Sequence, residues 1–103
     1  MKDKLSKKNK SLKLAIERYN LYKEFVDTYN KTKSLDNYVQ HIMATRSSMS
    51  EGVAQHYESI IHSYKHGNVT PLLTNLYDRL LAADEYRNKV ANELKSLLRE
   101  IWK

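Results

Sequence analysis

Residues His66 to Trp102, HGNVTPLLTNLYDRLLAADEYRNKVANELKSLLREIW, decide the fold. Gly67 suits the residue just past a helix end, Thr70 suits an N-cap, and Pro71 suits the first helical position, where its missing N–H costs nothing. One helix therefore stops and another starts here. From Leu72 onward apolar residues recur as a heptad. Leu73, Leu80, Arg87, Leu94 and Ile101 form one line, and Leu76, Ala83, Val90 and Leu97 form the other. The pattern predicts a helix of about 30 residues with a coiled-coil-like seam, about 45 Å long at 1.5 Å per residue.

Working outward, Leu35 to Tyr64 carries two apolar stripes, Leu35, Tyr38, Val39, Ile42, Met43 and Val53, His56, Tyr57, Ile60, Ile61, Tyr64. A Ser-rich run, Ser47 to Gly52, separates them. Ser48 with Glu51 fits a capping box and argues for a fresh start. Against it, Leu35 and Val53, Val39 and Tyr57, and Ile42 and Ile60 are each 18 residues apart. Eighteen residues are five whole turns, so the stripes are in phase, and Arg46 and Met49 share their face. The phase favours one helix of about 30 residues, kinked near Gly52.

The first helix is expected from Ser11, or from Leu5, to Tyr29. Leu12, Ile16, Tyr19, Tyr22, Val26 and Tyr29 line one face, and Ser34 is placed to cap the next helix. Short links make sequential helices antiparallel neighbours. The fold class is therefore all-α: an antiparallel bundle of three long helices, four if the middle one breaks near Gly52. Residues 1–10 read as a flexible basic tail and residues 11–103 as a single α-helical bundle domain.

Composition agrees. A chain of 103 residues holds one small core, and with two glycines and one proline it lacks the turn chemistry of an all-β domain. Its longest apolar run is far too short for a membrane span. The absence of cysteine removes disulfides, thiolate metal sites and Cys nucleophiles, and fits a cytoplasmic location. The net charge of +6 is concentrated at one end. Lys2, Lys4, Lys7, Lys8, Lys10 and Lys13 stand against Asp3 alone, whereas residues 15–103 hold 12 basic and 11 acidic groups. A run of this kind reads first as a solvated terminus, with phosphate contact as the sharper alternative.

Catalytic motifs are missing: there is no G-x-S-x-G, no glycine-rich phosphate loop and no H-E-x-x-H. Glu58, His62 and His66 share a helix face at metal-binding spacing, but that face points away from the Val53, Ile60, Tyr64 stripe, toward solvent. No metal and no cofactor are expected. His41 and His56 flank the middle stripe as boundary histidines. Arg46 and Arg87 lie on apolar lines and are expected either to run their stems out to solvent or to pair with a carboxylate across the bundle, such as Glu17, Glu24 or Glu85. Eight tyrosines against one Phe and one Trp fit seam positions where a ring is buried and its hydroxyl reaches a polar partner.

The first helix carries a second stripe, Leu14, Leu21 and Phe25, roughly opposite the Tyr19, Val26 line. Tyr77, Leu81, Leu98 and Trp102 likewise widen the apolar arc of the last helix. These seven residues are the expected protein interface, for self-association as a homo-oligomer or for docking on a protein partner. The leading expectation is a non-catalytic interaction protein. A nucleic-acid accessory protein using the six lysines is the alternative. The run from Pro71 to Leu76, followed by Leu94 to Leu97, resembles the later helices of small cytosolic bacteriocin immunity proteins. That resemblance covers at most a third of the chain, in leucine spacing, and implies an immunity-type or inhibitor role as a second alternative.

Overall fold

The computed structural model describes residues 2–102. It is an all-α bundle of four helices: α1 (Lys2–Thr32), α2 (Asp36–Thr45), α3 (Glu51–Lys65) and α4 (Thr70–Trp102), with a single 3₁₀ turn, Arg46–Ser48, between α2 and α3. Two compact units are recognised. One joins α1 up to Lys23 with α4 from Arg79, and the other spans Glu24–Asp78. We refer to them as the helix-pair unit and the four-segment unit.

Two expectations are corrected. The lysine-rich segment expected to be a flexible tail is helical from Lys2 onward. Leu5, Lys8 and Leu12 are half-buried on one face of α1, and Lys8 forms an ion pair with Glu93 of α4, which gives the segment a packing partner. The middle helix is not continuous. The chain leaves α2 at Thr45, makes one 3₁₀ turn, and passes through an extended Met49 (φ −91°, ψ 149°) before α3 begins. The cap of α3 is Ser50 rather than Ser48: its side chain accepts the Val53 N–H at 3.4 Å. Equal phase on either side of a break does not keep two stripes on one face once the break re-aims the second helix. Val53 and Met43 are accordingly 41% and 59% exposed.

The punctuation after α3 follows expectation closely. Gly67 has φ +93°, its N–H reaches Tyr64 O at 3.0 Å, and the Asn68 N–H reaches Ser63 O at 2.9 Å. These are the paired bonds of a Schellman ending. Asn68 Oδ1 then accepts the Thr70 N–H at 3.3 Å, and α4 begins one residue earlier than expected, with Thr70 and Pro71 as its first and second residues rather than its N-cap and first. Lys33 closes α1 in the same left-handed region, at φ 57°, with a single bond from its N–H to Tyr29 O.

In the four-segment unit, Leu35, Tyr38, Leu72 and Leu76 are fully enclosed and Val26, Val39, Ile42, Tyr57 and Ile61 surround them. Ser34 does not supply the expected N-cap of α2. The cap position is Leu35, whose own side chain is buried. The Tyr64 hydroxyl of α3 compensates by accepting the Leu35 N–H at 2.9 Å and donating to Asp36 Oδ1 at 2.9 Å. Ser34 Oγ assists more weakly, accepting the Asp36 N–H at 3.3 Å. The Tyr38 hydroxyl donates to Asn75 Oδ1. These tyrosines behave as the composition suggests, with ring inside and hydroxyl satisfied.

In the helix-pair unit the seam is narrower. Ala15, Ala83 and Val90 are its buried residues, and small side chains at these positions let the two backbones approach. The buried line of α1 falls on Ala15, flanked by Leu12, Tyr19 and Tyr22, so Ile16, expected on the core face, is rotated to the rim and is 39% exposed.

Candidate interaction surfaces

Because two helices packed along one line each keep an outer face, the helix-pair unit leaves more large apolar side chains open than the four-segment unit, where Met43, Val53 and Tyr77 are the exposed ones. Leu14 is 56% exposed on α1, and Leu81 and Trp102 are 59% and 85% exposed on α4. Leu21 and Leu98 are half-buried. In the four-segment unit Tyr77 is 44% exposed, but Phe25 already has company within the chain: its ring lies 5.4 Å from Tyr38 and 5.4 Å from His41, centroid to centroid. The expected stripe of Leu14, Leu21 and Phe25 is thus graded, from open at Leu14 to covered by α2 at Phe25. Tyr86, which the heptad does not include, and Ile101, which the heptad places on the seam but which is 40% exposed, add open apolar surface on α4.

Arg87 takes neither of the courses expected for it. Its guanidinium lies over the Tyr19 ring of α1, 4.3 Å from the centroid, and pairs with Asp84 of its own helix at 2.5 Å. A weakly hydrated planar cation can sit on an aromatic face at a seam where an ammonium would have to leave it. Its Nε is buried without a hydrogen-bond partner, a local cost of holding the charge at the seam. Arg46 finds a carboxylate partner in Glu58 of α3, and both side chains are largely in solvent, where such pairs contribute little.

The histidines separate into two kinds. His41 is half-buried against Phe25, while His56, His62 and His66 are exposed. The His62 and His66 rings meet edge to face at 4.3 Å, and Glu58, the third member of that face, is engaged with Arg46. Among the described residues no group of three or more His, Asp or Glu is arranged to hold a metal ion.

The lysines of α1 also divide. Lys8 is half-buried and binds Glu93, and this contact, through the hydrogen bond first and the charge second, holds the Glu93 carboxyl below the usual glutamate range. Lys4, Lys7, Lys10 and Lys13 are exposed. The side chain of Lys2 lies outside the described residues. An open groove beside the Lys8–Glu93 pair is bordered by Lys4, Lys7 and Ser11 on α1 and by Ser96, Leu97 and Glu100 on α4. It mixes both signs of charge and has no enclosed polar group to orient a small ligand.

No helix among the described residues is long and apolar enough to cross a membrane. Comparison with known proteins finds no matching family model, no matching curated protein and no matching solved structure.

Proposed function

We propose that this chain is a non-catalytic interaction protein, which self-associates or docks on a protein partner through the outer faces of its helix-pair unit. The observation that carries the reading is the exposure of Leu14, Leu81 and Trp102, at 56%, 59% and 85%, on two helices whose mutual seam buries little more than Ala15, Ala83 and Val90. Burying large apolar side chains at an interface contributes about 25 cal/mol per Å² of apolar surface removed from water, so these residues offer the largest unspent gain in that unit. Phe25, engaged with Tyr38 and His41, is left out of the proposed contact.

Light scattering over a concentration series tests the reading. Self-association gives a mass above one chain, which falls to one chain in Leu14→Glu with Leu81→Glu while far-ultraviolet circular dichroism stays unchanged. A single-chain mass throughout removes self-association. The heterologous form then stands only if the wild-type chain, and not the double variant, retains a discrete protein from its native host. Failure of both refutes the proposal.

A further inference from the structure

The lysines at 4, 7, 10 and 13 are three residues apart on a continuous helix. Each step of three residues turns 300°, equivalent to 60° backward, and rises about 4.5 Å. The four ammonium groups therefore wind through half the circumference of α1, with Lys4 and Lys13 on opposite flanks and Lys7 and Lys10 between them. All four are exposed, and among the described residues none of them is paired with a carboxylate, in contrast to Lys8. The apolar residues of the same turns, Leu5 and Leu12, fall outside this arc and are half-buried on the seam side. The arc between Lys4 and Lys13 contains no apolar side chain before Leu14. Residues 4–13 of this surface lack the broad apolar face that insertion into a lipid interface requires, with Leu14 the single large apolar side chain that follows them on the arc. The surface has the width and sign to meet phosphates on both walls of a groove.

We infer that the first turns of α1 form a binding element for duplex DNA, lying in the major groove with Lys4 and Lys7 directed to the phosphates of one strand and Lys10 and Lys13 to those of the other. The major groove of B-form DNA is about 12 Å wide and admits an α-helix, whereas that of A-form RNA is deep and narrow. Like charges spaced three and four residues apart oppose the helix that carries them, so a polyanion relieves a repulsion the free protein sustains. Contact is to the backbone, and binding is independent of base sequence. This inference does not rest on the apolar interface proposed above.

Fluorescence anisotropy of a labelled short duplex of mixed sequence, titrated with the full chain at several salt concentrations, is the test. Four neutralised phosphates give a slope of about −3.6 in log affinity against log salt, or about a 150-fold loss between about 50 and 200 mM salt. The variant with Lys4, Lys7, Lys10 and Lys13 all changed to Gln is expected to lose at least about tenfold in affinity and most of the slope. A control with Lys23, Lys65, Lys89 and Lys95 changed to Gln removes the same charge elsewhere and is expected to lose less than about threefold. Asn9→Pro keeps every charge but breaks the helix, and it should weaken binding if the element acts as a helix. The inference is overturned by absence of binding at low salt, by equal losses in the two quadruple variants, or by full affinity in Asn9→Pro. Equal or tighter binding to phosphatidylserine vesicles or to a matching RNA duplex also overturns it.

Discussion

The four-segment unit surrounds Tyr38, Leu35, Leu72 and Leu76 on all sides, and its polar atoms are tied across elements by Tyr64 and Tyr38. The helix-pair unit has two helices, a seam built on two alanines and a valine, and no described side chain larger than valine that is fully buried. Both are made of amphipathic helix, and what separates them is the number of directions from which apolar surface is covered. A helix pair hides one line per helix. A third and a fourth segment hide the rest. Stability should therefore concentrate in the four-segment unit, and the capacity to bind in the helix pair.

That contrast can be broken experimentally, and the largest effect is expected at Leu76. Leu76→Ala, at a side chain with no exposed surface, should cost about 2–5 kcal/mol in urea unfolding; a loss below 1 kcal/mol would mean that the site collapses freely around the gap. In the other unit Ala83→Leu should cost about 1–3 kcal/mol by pushing the seam apart; stabilisation instead would show the seam to be underpacked. Tyr64→Phe should cost about 1–2 kcal/mol, because the Leu35 N–H and Asp36 lose their shared hydroxyl, and hydrogen exchange at the start of α2 should rise first. Glu93→Gln should have the smallest effect, since the pair with Lys8 is at the surface, where solvent screens it. Its pH dependence has a definite sign. Glu93 has a lowered pKa in the folded chain, so its contribution is present above the ordinary glutamate pKa of about 4.3 and disappears as the pH falls through the folded value. Wild type and Glu93→Gln should accordingly converge in melting temperature in acid.

Much of the fold was legible from residue spacing. The heptad of α4 places Leu76, Ala83 and Val90 at the interior, and the stop at Gly67 with a start near Thr70 and Pro71 appears within one residue. The break in the middle is not legible in the stripes because phase is a property of each helix alone. A 3₁₀ turn and one extended residue, Met49, change the direction of the next helix without disturbing its internal period. The helix of the lysine-rich segment is hidden for a related reason. Composition describes solvation, while helix formation there depends on Leu5, Lys8 and Leu12 meeting a partner distant in sequence. Arg87 shows the same limit, because the heptad marks its position at the seam but not the Tyr19 ring that receives it. Among the candidate interface residues, Leu14, Leu81 and Trp102 are as open as the widened apolar arcs imply, and Phe25 is covered because α2 turns back over it.

Trp102 gives the chain an unusual optical property. It is the single tryptophan, and with 85% of its surface in water its indole already has the surroundings it would have in a denatured chain. Its emission should change little when the protein melts and should move to shorter wavelength when the end of α4 is captured by another molecule. Native fluorescence would thus register docking while remaining nearly blind to unfolding.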